Sequence, residues 1–262
     1  MKRIMLPGTV CLLVCFWLSF ASDSGTGDWP MWGGSPERNM ISMMKDIPTS
    51  WDIKTGKNVK WVAQLGSQSY GNPVVAGGQV YVGTNNELVR NPKEGGDRGV
   101  LMCFRESDGR FLWQHTNLKL PAGGANDWPE VGVCSSPLVE GDRLYYVSNR
   151  CELVCLDTHG DGNGNAKIIW KFDMMEQVRS EPRYMSNSSP VSYGDLVFAG
   201  TANGQDQAQR HVPSPQAAGE ELDMLCGETP SALIMSSFQI SLALPAPSPC
   251  ASRHTSSQRF AT

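Results

Sequence analysis

The chain has 262 residues and a formal net charge of −4; 40% of it is hydrophobic and 18% charged, with 27 Gly, 17 Pro and 8 Trp. No Lys/Arg cluster occurs, which argues against nucleic-acid binding through a basic patch. Abundant Gly and Trp with modest charge fit many short strands and tight turns, in one large all-β domain or two smaller ones, and not long solvent-facing helices.

In chain order, residues 1–21 read as a secretory signal peptide. Lys2 and Arg3 precede an apolar stretch, and Ser19-Phe20-Ala21 places small residues before the cleavage point. The alternative is an uncleaved signal anchor, the only route by which the sequence offers membrane contact; a lipoprotein reading at Cys15 is weaker, because the preceding Val14 is not small. The chain is therefore expected to be exported: periplasmic, cell-surface or secreted. Residues 22–57 form a linker and a Trp-rich segment. Asp28-Trp-Pro-Met-Trp-Gly-Gly34 reads as a lid over a sheet edge, and Lys57 to Val62 as a closing strand carrying Trp61.

Residues 58–211 repeat. Asn72-Pro73-Val-Val-Ala-Gly-Gly, Ser136-Pro137-Leu-Val-Glu-Gly-Asp and Ser189-Pro190-Val-Ser-Tyr-Gly-Asp each lead into an alternating apolar run, and Trp61, Trp113 and Trp170 recur behind them. A unit of about 50 residues is the mark of propeller blades or a repeat array. The complete copy runs from Cys134 to Trp170 as four strands: 136–139, 143–148, 151–157 and 167–172. Gly77-Gly78, Gly141-Asp142 and Gly194-Asp195 suit two-residue hairpins, which need positive φ. Each Pro opens a strand, where a missing N–H costs least. The recurring Trp is read as a wedge between sheets. Cys103 (LMCF) and Cys155 (LVCL) occupy the same repeat position, as small inward-facing core residues; Cys151 and Cys155 are too far apart along a strand to bridge.

The third copy breaks off after Gly204. Residues 212–262 turn to Ser, Ala and Pro and hold no Trp, Tyr or Lys, so they read as a disordered tail or one entered by a frame or gene-model shift near Val212 to Gln216; a genuine low-complexity tail is the alternative.

Chemical signals are sparse. Asp161, Asn163 and Asn165 alternate as in a calcium loop, but Ala166 and Phe172 stand where an EF-hand needs Gly and Glu, so a flexible hairpin loop is expected. Gly160 to Gly164 precedes no helix, which removes the dinucleotide reading. His115, His159, His211 and His254 share no spacing with a nucleophile, and His115 is expected on the surface at a strand end. Trp128, in Asp127-Trp-Pro-Glu130, is a candidate rim contact. The charged insertion Asn85 to Arg98 is a candidate binding surface. No catalytic, cofactor-binding or metal-binding residue is nominated.

Taken together, the Pro-strand, Gly-turn, Leu-x-Cys-Leu-Asp and closing-Trp units, with DWPMWGG, IPTSW and NVKW ahead of them, resemble the PQQ-like (quinoprotein-type) β-propeller repeat of exported bacterial proteins. The resemblance spans 28–211. It implies an all-β fold, a partial β-propeller of four-stranded antiparallel blades with two fairly complete blades and the start of a third. It also implies a non-catalytic binding or scaffold role toward protein or carbohydrate partners, with no cofactor. The alternative it implies is a quinoprotein dehydrogenase of alcohols or sugars, using PQQ and calcium. Such enzymes resemble these repeats but stack an adjacent-cysteine disulfide over the quinone and hold Ca²⁺ with Glu, Asn and Asp ligands; this chain has no adjacent cysteine pair. Fold resemblance alone does not confer the activity.

Overall fold

A computed structural model describes residues 27–121, 126–178, 180, 182 and 184–200, together with the backbone of 233–235 and 241–245. The expected signal peptide, His211, His254 and the cysteines at 11, 15, 226 and 250 lie outside the described residues, as does most of the expected tail. The described chain is almost entirely antiparallel sheet. The first sheet is a meander of β1 (Val74–Ala76), β2 (Gln79–Asn85), β3 (Arg98–Arg105) and β4 (Phe111–Leu118). The second repeats it with β5 (Leu138–Glu140), β6 (Arg143–Val147), β7 (Glu152–Asp157) and β8 (Lys167–Asp173), which is followed by the short helix α1 (Met174–Val178). The Asp173 carboxylate caps α1 by accepting from the Met175 and Glu176 N–H groups.

The third sheet begins the same way, with β9 (Val191–Tyr193) and β10 (Leu196–Gly200). It then departs from the meander: β12 (Ser241–Pro245) pairs with β10, and β11 (Leu233–Met235) pairs with β12, giving the order β11-β12-β10-β9. The sequence shows no strand rhythm at 233–245, yet its backbone supplies the two strands that bring this sheet to four.

The hairpins follow their turn residues. Ala76 pairs with Gln79 across Gly77 (φ 58°) and Gly78 (φ 72°), both positive as a type I′ turn requires. Gly141 (φ 54°) and Gly194 (φ 57°) each begin a two-residue turn whose second residue is Asp. The turn between β6 and β7 includes Cys151, which sits at φ 59°, so β7 starts one residue later than the sequence suggests.

The first two sheets match residue for residue. Tyr81, Cys103 and Trp113 form one cross-strand row, and Tyr145, Cys155 and Trp170 form its copy. The ring centroids of Tyr81 and Trp113 are 5.9 Å apart, those of Tyr145 and Trp170 6.0 Å. In both sheets the ladder slips immediately after the cysteine, leaving a bulge on the closing strand. Cys103, Cys134, Cys151 and Cys155 are buried free thiols, and of these Cys103 and Cys155 are the core residues that the repeat positions predicted. Burial pushes the Cys134 thiol up to about 11 and that of Cys155 to about 12.

Each sheet has two apolar faces, and three layers cover them. Tyr81, Leu101, Cys103 and Trp113 of the first sheet meet Val139, Leu144, Tyr146 and Val154 of the second. The other face of the second sheet, with Leu138, Tyr145 and Leu153, meets Val197 and Ala199 of the third. The outer face of the first sheet, with Val82, Val100, Met102 and Phe104, is covered by Trp61, Ala63 and Leu65. Face-to-face stacking of consecutive four-stranded sheets is the packing of propeller blades.

Two recurrent contacts fix the stacking. The Trp61 indole N–H donates to the Glu106 carbonyl (2.7 Å), and that of Trp113 to the Thr158 carbonyl (2.8 Å), both across 45 residues. Each ring lies against a glycine of the turn it reaches. A Cβ on Gly109 or Gly160 would come within 2.6 Å of the Trp61 or Trp113 ring. The wedge role of these tryptophans is thus a specific one, closing one blade against the third-to-fourth-strand turn of the next.

The second contact lies at the start of each blade. The Asn72 N–H donates to the Ser136 hydroxyl (2.8 Å), and the Ser136 N–H donates to the Ser189 hydroxyl (3.1 Å). The residue before each Pro therefore links to the same position of the following blade. The DWPMWGG segment straps these strand edges. Trp29 bridges Val75, the Pro30 carbonyl takes the Val139 N–H, and Arg38 donates to the Ser189 and Pro190 carbonyls. Its role as a cover for sheet edges extends over all three sheets.

Candidate functional site

The blade stack has two ends. The end carrying the two-residue hairpins holds a cleft of about 870 Å³ beneath the strap, with the carboxylates of Asp28, Glu140 and Asp142 along it. Two of these are already engaged: Asp28 accepts the Gly77 N–H and Glu140 accepts the Ser192 hydroxyl. The Asp161 carboxylate lies in the connection from β7 to β8. It turns into its own loop, accepting from the Asn163 N–H, the Asn165 N–H and the Asn165 side chain at 2.7 to 3.0 Å. Those bonds hold its pKa below the usual carboxylate range. The resulting turn latches onto the first blade, where the Gly164 carbonyl accepts the Gln114 N–H and the Gln114 carbonyl accepts the Ala166 N–H. Asp161, Asn163 and Asn165 are a connector, and among the described residues no His/Cys/Asp/Glu group is arranged to hold a metal ion.

The opposite end gathers the longer loops: 86–97 after β2, 119–137 after β4, and 148–151 after β6. At its centre is Asp127, 1% exposed in its side chain. One carboxylate oxygen faces the Lys119 ammonium at 2.6 Å; the other accepts the Leu120 N–H (3.1 Å) and the Asn149 side-chain amide (2.8 Å). Lys119 also donates to the Trp128 carbonyl and lies 3.9 Å from Asp97. The Glu130 N–H donates to Asp97 (2.8 Å), and the Glu130 carbonyl accepts from Asn85. Glu130 is held at φ 61°, a left-handed conformation costly for a residue other than glycine, with its N–H tied to Asp97 of the 86–97 loop and its carbonyl to Asn85 at the end of β2. Gly132 follows at φ 78°, with no room for a Cβ against Thr84 and Asn85.

This scaffold presents two aromatic rings to solvent. Trp128 is 43% exposed and Tyr184 46% exposed, with ring centroids 5.3 Å apart. The Trp128 N–H donates to the Tyr184 carbonyl. Trp128, the rim candidate from sequence, is therefore an exposed ring on a rigid loop. Tyr184 carried no sequence signal, because its neighbours do not repeat.

The charged insertion divides. Asn85 and Asn86 are buried struts, and Asn86 holds the loop by donating to the Glu94 and Gly96 carbonyls. The Arg90 guanidinium covers Phe111 at 4.9 Å and Phe104 at 5.7 Å. Glu87, Leu88, Val89 and Lys93 remain exposed as surface.

His115 is not the strand-end surface residue that its polar neighbours suggested. It lies within β4, between the first two blades, with Nδ1 2.5 Å from the Tyr146 hydroxyl, which also accepts from the Asn117 amide at 3.0 Å. Burial, assisted by Lys171 and opposed by Glu94, lowers its pKa to about 4. His159 sits on the opposite end of the stack, exposed and paired with Asp157 at 3.1 Å.

The family model described as outer membrane protein assembly factor BamB, a PQQ-repeat family, matches residues 42–115 and 95–217. The chain is similar to lupanine 17-hydroxylase [cytochrome c] from a Pseudomonas species, at 24% identity over 189 residues, covering 68% of this chain and 23% of that protein. Among solved structures it is similar to a quinohemoprotein alcohol dehydrogenase from Comamonas testosteroni (16% identity, TM-score 0.46, 69% of this chain and 24% of that one). BamB from Moraxella catarrhalis is also similar (14% identity, TM-score 0.37, 59% and 42%). The chain thus spans about a quarter of the length of the curated relative it matches. With the family matched continuously from residue 42 to residue 217, the protein belongs to the PQQ-repeat β-propeller family described as outer membrane protein assembly factor BamB.

Proposed function

We propose that this chain is an exported, non-catalytic propeller-repeat protein whose loop-bearing end binds a protein or carbohydrate partner. The observation that carries the reading is the 126–132 loop. A buried ion pair, a strained Glu130 and two further loops, through Asp97 and Asn149, are committed to holding Trp128 and Tyr184 at the surface. Aromatic rings fixed on a rigid loop are what recognition sites use, because little side-chain freedom is lost on binding.

The second reading, a quinoprotein oxidoreductase requiring PQQ and calcium, draws on the similarity to the Pseudomonas hydroxylase. The described residues do not fit that cofactor set. The four described thiols are buried and non-adjacent, and the Asp161 carboxylate is satisfied by its own loop.

A photo-reactive residue at Glu130 in the exported protein tests the binding reading. The expected result is a discrete adduct that disappears with Trp128→Ala and Tyr184→Ala. Dye reduction with alcohols or sugars after addition of PQQ and Ca²⁺ would contradict it.

A further inference from the structure

The loop between β7 and β8 is tied to the first blade through one short run of backbone. Its Gly164 carbonyl accepts the Gln114 N–H of β4 (3.1 Å), and its Ala166 N–H donates to the Gln114 carbonyl (2.9 Å). Gln114 lies opposite Met102 in the first sheet, yet these two bonds turn its peptide groups toward the second blade, in a parallel bridge with Asn165. The latch between the two blades therefore depends on the backbone path through residues 163–166.

That path carries two asparagines in opposite situations. Asn165 is locked. Its side-chain amide donates to the Asp161 carboxylate (3.0 Å), and the nitrogen that follows it, that of Ala166, is the one bonded to Gln114. Asn163 escapes both restraints. Its side-chain amide reaches the Asp161 carbonyl at 3.5 Å, beyond the ordinary hydrogen-bond range, and among the described residues the following Gly164 N–H has no partner. Asn163 is exposed, and a Cβ on Gly164 would meet nothing within 4 Å, so nothing crowds the peptide between them. Gly162 (φ 80°) and Gly164 (φ 89°) flank it, and glycine supplies the rotational freedom that brings the Gly164 nitrogen onto the Asn163 side-chain carbon. No other described asparagine is followed by glycine. Asn85, Asn86, Asn117 and Asn149 are buried, with their amides held by hydrogen bonds.

We propose that Asn163 is a self-modifying site, at which the chain deamidates through a cyclic imide and releases the latch between the first two blades. The Gly164 nitrogen forms a bond to Asn163 Cγ and the Cγ–Nδ2 bond breaks. The side-chain nitrogen leaves as ammonia, carrying the proton of the Gly164 amide. Water then opens the ring at either carbonyl, giving aspartate or isoaspartate, with no oxidant or cofactor needed. Either product adds a carboxylate beside Asp161, whose own carboxylate already accepts the Asn163 and Asn165 N–H groups. Isoaspartate also inserts a methylene into the main chain immediately before Gly164, which displaces the carbonyl that Gln114 uses.

The test is to incubate the full chain in neutral buffer and follow it by peptide mapping, with an isoaspartyl-specific methyltransferase reporting the isomer. Asn163 is expected to convert at least tenfold faster than Asn165 or any other described asparagine, and faster still as the pH rises, because the Gly164 nitrogen attacks in its deprotonated form. In the converted fraction the Gln114 and Ala166 amides should exchange with solvent at least tenfold faster than in fresh protein. Asn163→Gln, an exposed change whose longer side chain cyclises far more slowly, should keep both amides protected through the same incubation. Conversion of Asn163 no faster than that of Asn165 would overturn the site. Unchanged protection of Gln114 and Ala166 in the converted fraction would overturn its link to the latch.

Discussion

Protonating His115 places a charge against the Tyr146 hydroxyl inside the interface between the first two blades. The groups facing it are Tyr146 and Lys171 of the second blade and Glu94 of the 86–97 loop. Its folded pKa, about 4, lies below the ordinary 6.5, so the unfolded chain binds the proton first. The stability is complete above about pH 6.5 and is lost progressively as the pH falls toward 4. A shift of this size corresponds to at most about 3 kcal/mol. Urea titrations at pH 7.5 and pH 4.5 should show this loss, and His115→Gln should remove most of it. Trp113 makes the sharper test of blade stacking. It is 2% exposed and bonded to Thr158, so Trp113→Ala should cost about 3–5 kcal/mol. Trp170, only partly buried, should cost less on the same substitution. His115 was misjudged from sequence for a physical reason. Gln114-His115-Thr116-Asn117 reads as a polar run, and only Tyr146, 31 residues on, turns it into an interface.

The loop from Asp127 to Glu130 shows how an element becomes rigid without regular structure. Its carboxylate, two carbonyls and two N–H groups are bonded to other parts of the chain. Breaking a buried ion pair by removing one partner leaves a charge without compensation and typically costs 3–5 kcal/mol. Asp127→Ala should destabilise by about that amount and should free Trp128, visible as increased quenching of its fluorescence by acrylamide. Lys119→Met with Asp127→Leu should recover much of the stability but not the ring placement. The strands themselves were legible because Gly-Gly and Gly-Asp turns punctuate alternating apolar runs, which fixes β1/β2, β5/β6 and β9/β10 to within a residue or two. The Ser136 and Ser189 hydroxyls were visible in sequence only as residues before Pro. Their use as acceptors for the preceding blade depends on a stacking that no local pattern encodes. Tyr184, Lys119 and Asn149 were likewise invisible, since each acquires its role from a loop distant in sequence.

At the scale of the whole molecule, three sheets stack face to face, and among the described residues no strand pairs with residues 59–65. Unpaired strand edges invite association, and natural proteins cover or pair them. The family match places this chain among propeller-repeat proteins, while its match covers 23% of the curated relative. The strap from Trp29 to Arg38 ties the first strands of all three sheets together. The stack and its open edge are tested most directly by hydrogen exchange. Residues 59–65 and β4 pack their apolar faces in the same way, but only β4 has ladder hydrogen bonds. Backbone amides of β3, β4, β6 and β7 should exchange slowly, and those of residues 61–63 should exchange at least a hundredfold faster. Protection at 61–63 equal to that of β4 in the isolated chain would contradict the account, because the edge would then already be paired.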